Sequence, residues 1–155
     1  MSIRSGLGLV GSIAVCFGVA AVGGYFTPGE WYQQLQKPLW TPPPAVFGPV
    51  WTLLYFLMGV SAWLVWRRKG LREGTLPLAS FAFQLFLNGL WSFIFFGLHR
   101  IGLAGIEIIL LWSAIAVTLF LFWRESKIAG ILLIPYLVWV LFAGVLNFAI
   151  WRLNA

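Results

Sequence analysis

IAGILLIPYLVWVLFAGVLNFAIW, residues 128–151, lies between Lys127 and Arg152 and holds 24 positions without a charge. A helix needs roughly 20 apolar residues to cross a hydrocarbon layer of ~30 Å. The same pattern repeats upstream. Arg4 to Glu30 leaves 25 uncharged positions, Lys37 to Arg67 leaves 29, Glu73 to Arg100 leaves 26, and Arg100 to Arg124 leaves 23, broken only by Glu107. Of the 155 residues, 61% are hydrophobic and 9% charged, a balance far from that of a water-soluble domain. The expected fold is therefore an all-α membrane protein, one domain over residues 1–155, built as a bundle of five transmembrane helices in a lipid bilayer.

The helices are expected over 6–26, 45–66, 76–98, 101–123 and 128–151. Arg4 and the apolar run to Ala20-Ala21 outline a secretory signal, but a signal's apolar core spans only ~7–15 residues. This run continues through Gly23, Gly24 and Phe26, so a retained first helix is expected. Its small residues Ala14 and Gly18, and Ala20 and Gly24, are spaced for close helix contact, although small residues are also simply common in membrane helices. Between the first two helices, residues 27–44 hold Pro28, Pro38, Pro42, Pro43 and Pro44 with Trp31, Tyr32 and Trp40. Proline removes a backbone donor, so this stretch cannot be a spanning helix. It reads as an ordered proline- and tryptophan-rich cap over one end of the bundle. The short turns around residues 99–100 and 124–127 make the third, fourth and fifth helices antiparallel neighbours.

The net charge of +6 does not point to nucleic acid, because the basic residues sit at span ends. The N-terminal side carries Arg4, Arg67, Arg68, Lys69, Arg72, Arg124 and Lys127, and the other side Lys37, Arg100 and Arg152. Basic residues favour the cytoplasmic face, so the N-terminus is expected there and the cap and C-terminus opposite, in a multi-pass protein of a bacterial cell membrane.

No catalytic constellation is visible, and neither a metal site nor a cofactor is expected. The single histidine, His99, reads as a solvated boundary residue, and the single cysteine, Cys16, has no partner. Glu73 and Glu125 neighbour basic residues in loops. Glu107 is the one charge well inside a span, where it snorkels, is protonated, or anchors helix packing or a ligand.

Polar groups in hydrocarbon must pair or line a cavity. Gln84, Asn88 and Trp91 share one helix face, as do Trp51, Tyr55 and Met58, and Tyr136, Trp139 and Ala143 with Asn147 a turn further. These three faces are expected to point at one another. Trp31, Trp40, Trp63, Trp66, Trp123 and Trp151 suit the membrane boundary, whereas Trp91, Trp112 and Trp139 fall near mid-span and Trp51 below the cap. Indoles facing a cavity would suit a flat, apolar ring such as a porphyrin. The alternative is that these indoles are packing residues and the amides bond between helices.

Four motifs occur in order. They are Trp31-Tyr32 with Leu35-Gln36-Lys37-Pro38, Trp40 and Pro42-Pro43; Gly48-Pro49-Val50-Trp51 through Leu54-Tyr55 and Met58-Gly59; Gln84-Leu85, Leu87-Asn88, Trp91 and Phe95-Phe96-Gly97; and Pro135-Tyr136-Leu137, Trp139, Phe142, Leu146-Asn147 and Trp151-Arg152. In these the chain resembles the translocator protein family, also called tryptophan-rich sensory proteins or peripheral benzodiazepine receptors. The resemblance implies a five-helix fold, often a homodimer, that binds porphyrins, sterols and benzodiazepine-type ligands between its helices under the first loop. Carried over by motif, it implies Tyr32, Trp51, Asn88, Trp91, Trp139, Ala143 and Leu146 as ligand-binding residues. It also raises light-dependent porphyrin degradation, with Trp51 and Trp139 as candidates to exchange electrons with the excited ring, and a structural or signalling partner as a third class. Two positions depart from the family. Its sterol motif has a tyrosine where this chain has Phe148, and a tryptophan of animal members is Leu103 here.

Overall fold

The five uncharged runs become five helices long and apolar enough to cross a membrane. In the computed structural model, which describes residues 3–26 and 28–155, they are α1 (Ile3–Tyr25), α3 (Pro44–Glu73), α4 (Thr75–Ser92), α5 (Ile101–Glu125) and α6 (Lys127–Asn154). Thr27, the first position of the expected cap, lies outside the described residues, as do Met1 and Ser2.

The cap is partly helical. A single turn, α2 (Glu30–Gln34), precedes an extended stretch that leads into α3. Pro43 caps α3 and Pro44 opens it, at the position where a missing N–H costs nothing. The expected bounds shift most in α3. α3 continues past Trp66 to Glu73, with one break at Gly70 (φ 68°), because leaving the hydrocarbon does not itself stop a helix. α4 ends in a π-helical turn over Phe93–Gly97, in which Leu98 N–H donates to the Phe93 carbonyl at 2.9 Å.

Around the bundle, α1 packs on α3 and α4, α3 on α6, α6 on α5, and α5 back on α4. The antiparallel pairs expected from the short turns are neighbours in this ring. Outward faces are apolar: Leu7, Phe86, Ile106, Ile109, Phe120 and Val138 are all more than half exposed. That surface suits acyl chains and would not suit water.

The two ends of the bundle collect different groups. At the N-terminal end, Trp63 Nε1 donates to the Ser5 carbonyl at 2.8 Å, and Lys69 pairs with Glu125 at 3.3 Å. At the other end, the Asn154 amide clasps the backbone of Gln36, accepting its N–H at 3.0 Å and donating to its carbonyl at 2.9 Å. Trp31 stacks on His99 with ring centres 4.1 Å apart, which ties the cap to the α4–α5 turn. His99 is exposed as expected but is more than a solvated group, since it holds positive φ (55°) and carries this stack.

One expectation about packing is corrected. Gly18 and Gly24 have no atom within 4 Å of an added Cβ, so they are not where α1 meets its neighbours. The close approaches are Gly8 against Trp66 and Gly59 of α3 against Ile13. Trp63 lies at the N-terminal end, where a boundary residue was expected, but it is buried against α1, because its N–H finds a carbonyl there.

Candidate ligand cavity

Under the cap, α1, α3, α4 and α6 leave a cavity of about 1050 Å³. Its roof is formed by residues of the cap, Pro42 to Pro44 among them, and its walls are mostly apolar. All seven residues carried over by motif line it: Tyr32, Trp51, Asn88, Trp91, Trp139, Ala143 and Leu146. They come from four elements, so no local stretch of sequence makes the site.

Two lining residues, Tyr55 and Asn88, belong to a hydrogen-bonded bridge across three helices, whose third member, Tyr136, is buried behind them and does not line the cavity. Tyr55 OH of α3 donates to Asn88 Oδ1 of α4, and Asn88 Nδ2 donates to Tyr136 OH of α6 at 3.0 Å. Both readings of the inward amides therefore hold for Asn88, which lines the cavity and also joins helices. Asn147 does the same. It accepts from Trp91 Nε1 at 3.2 Å and donates to the Ile101 carbonyl at 3.0 Å. Asn88→Ala leaves two buried hydroxyls unpaired. Membrane hydrogen bonds contribute roughly 0.6 kcal/mol each on average, and unpaired buried groups cost more. A loss of about 1–2 kcal/mol is expected, read as a lower thermal midpoint in detergent.

Aromatic rings shape the walls. The π-helical turn places Phe95 and Phe96 beside Tyr32 at ring-centre distances of 6.1 and 5.5 Å, and Trp91 stacks on Phe95 at 4.9 Å. Trp51 lies 5.6 Å from Tyr55, and Trp139 meets Phe47 at 5.9 Å and Phe142 at 5.4 Å. Trp139 Nε1 is itself buried and has no hydrogen-bond partner, so the cavity is lined by the rest of the indole.

Several inward residues do not reach the cavity. Met58 and Gln84 are fully buried below the Tyr55–Asn88–Tyr136 bridge and are absent from its lining. Trp112 is corrected. Its Nε1 donates to the Leu137 carbonyl at 3.2 Å, and its ring lines a separate groove of about 650 Å³ between α5 and α6. Glu107 does not snorkel: it is 7% exposed, and neither carboxyl oxygen has a hydrogen-bond partner. Among the described residues no group of three or more metal-binding side chains is found.

The sequence profile of the TspO/MBR family matches residues 12–152. The chain belongs to the TspO/MBR family. Tryptophan-rich protein TspO of Archaeoglobus fulgidus is 45% identical over 153 residues, covering 96% of this chain and 98% of that protein. Protein CrtK of Rhodobacter capsulatus is 43% identical over 140 residues, covering 90% of this chain and 88% of its own length. The human translocator protein is 42% identical over 138 residues, covering 86% and 82%. Membership in the TspO/MBR family thus extends into the first helix, whose sequence showed only small-residue character. That helix also supplies a wall of the cavity, through Phe17, Ala20 and Ala21, which the motifs did not mark. On a helix apolar all round, no periodic signal tells which face is inward.

Proposed function

We propose that this TspO/MBR protein is a membrane receptor or translocator for tetrapyrroles, protoporphyrin IX or a haem precursor, serving tetrapyrrole regulation or a stress response. One observation carries the reading: a cavity of about 1050 Å³ walled by Tyr32, Trp51, Trp91 and Trp139. Ligand sites commonly span ~300–1,000 Å³, so this one has room for a macrocycle. Flat aromatic walls reward a flat ring, at ~0.5–1.5 kcal/mol per well-placed pair beyond area burial. Smaller apolar ligands, sterol-like or benzodiazepine-type, fit the same space as competitors. The names of the relatives, translocator and tryptophan-rich sensory protein, accord with passage or sensing.

The seven basic residues at the N-terminal end support a cytoplasmic N-terminus, with the cap and C-terminus across a bacterial cell membrane. A homodimer belongs to the same reading.

The test is titration of the detergent-solubilised protein with protoporphyrin IX while following tryptophan fluorescence. Saturable quenching at one ring per chain, reversed by an apolar competitor, is expected. Quenching that rises linearly without saturation would show collisional contact only and overturn the proposal.

A further inference from the structure

Among the residues lining the cavity, one carries a charge: Lys37, in the cap. Its ammonium donates to the Leu35 carbonyl at 3.0 Å and the Gln33 carbonyl at 3.3 Å, and sits 4.7 Å from the centre of the Tyr32 ring. An ammonium has three N–H donors, so one remains. Its formal charge also has no acidic partner. Among the described residues the one ion pair is Lys69–Glu125, at the opposite end of the bundle. Burial pushes the Tyr32 phenol above its ordinary range, so no phenolate competes for the ammonium. Two carbonyls and a ring hold the side chain in place before any ligand arrives, which lowers the ordering cost of using it.

We propose that Lys37 is an anion subsite that takes the carboxylate of a ring acid whose apolar body lies in the cavity. The assignment rests on the ring-binding reading above and adds a selection rule to it. A ring with a carboxylate at one edge can bury its flat face among Trp51, Trp91 and Trp139 while the acid reaches the cap. That places the charge at the membrane boundary and the ring in the bundle, the orientation each part favours. A neutral ring of equal size fills the same walls but leaves the cation without a partner. Lys37 therefore sorts acids from neutral rings and fixes which edge enters last, while the aromatic walls set the underlying affinity.

The probes are protoporphyrin IX, its neutral dimethyl ester and oleate, each measured by tryptophan quenching in an uncharged detergent. The wild type is expected to bind the diacid about ten-fold more tightly than the ester, the scale of one partly screened charge contact. Lys37→Met should lose that preference by weakening the diacid alone, and Lys37→Arg should keep most of it. The wild type gives a check that needs no variant: raising salt from about 0.05 to about 0.5 M should weaken the diacid and leave the ester unchanged. Equal binding of diacid and ester by the wild type would overturn the subsite and leave the ring site standing. So would an undiminished preference in Lys37→Met. Displacement of the ring by oleate in a Lys37-dependent manner would also overturn it, assigning the cation to a fatty acid. Failure of both porphyrins to bind the wild type would remove the ring reading itself, and the subsite with it.

Discussion

Gly59→Val is expected to lower the thermal midpoint of the detergent-solubilised protein and to expose Cys16. A Cβ at position 59 would stand 2.8 Å from the Ile13 Cα, 2.8 Å from its Cγ1 and 3.1 Å from its amide nitrogen. Two of those atoms belong to the backbone of α1, so no rotamer change relieves the clash, and the helix itself must move. α1 buries few side chains, Ser5 and Cys16 among the described residues, so its seating relies on close backbone approaches such as this one. In a membrane, close packing takes over the part that the hydrophobic effect plays in water. Overpacking costs ~1–3 kcal/mol and more when backbone is involved, so about 3 kcal/mol is expected here. By the scaling for chains of this size that is a fall of roughly 6–12 °C. Cys16 reports the cause. It is fully buried, and in the variant a maleimide should label it at least ten-fold faster, roughly the minimum that such a shift in local opening implies. Gly18→Ala on α1 is the control. Nothing lies within 4 Å of its added Cβ, so the midpoint should hold or rise slightly. An unshifted midpoint together with a protected Cys16 in Gly59→Val would mean that α1 is not seated by this approach.

The contrast between Gly59 and Gly18 also marks where sequence reading stops. Both are small residues in apolar helices, and only the partner helix distinguishes them. Span number was legible because it depends on charge, and the charged positions are few and clustered. The inward direction of Asn88 and Asn147 was legible too, because an amide in hydrocarbon has to find a partner. Their partners were less so. Asn88 takes two tyrosines from α3 and α6, whereas Asn147 takes an indole and a backbone carbonyl, and no spacing rule separates those outcomes. Tryptophan was the least legible type. Trp112 and Trp139 share mid-span depth and apolar neighbours, yet one indole meets a carbonyl between α5 and α6 and the other lines the cavity with its N–H buried and unpaired. An indole fills space and carries a single donor, so its direction is set by whichever neighbour first satisfies that donor. The seven residues carried over by motif all line the cavity, and each was tied to a family pattern rather than to depth alone. The roof prolines and Phe17, by contrast, have no polar atom on their side chains to show which way they turn.

That difference between two tryptophans supports the second large effect. Trp139→Ala is expected to weaken protoporphyrin IX binding about 30-fold, the equivalent of the ~2 kcal/mol that a central aromatic anchor contributes. The ring gives up the indole face that completes the wall with Phe47 and Phe142. Trp139→Phe keeps an aromatic face of smaller area, so a smaller loss of about three- to ten-fold is expected, the range of one weakened aromatic pair. Trp91→Ala is a poorer probe, because its Nε1 already bonds Asn147 and its removal disturbs the bundle as well as the site. Trp112→Ala removes an indole of the same size from the outer groove together with its bond to the Leu137 carbonyl, so its thermal midpoint should fall while its affinity matches the wild type within error. The comparison is decisive because each alanine variant removes one tryptophan, and one indole lines the outer groove from α5 while the other lines the cavity from α6. Equal weakening by Trp112→Ala and Trp139→Ala would mean that the ring binds wherever indoles are exposed. A loss confined to Trp139→Ala would place it against the wall formed by α6.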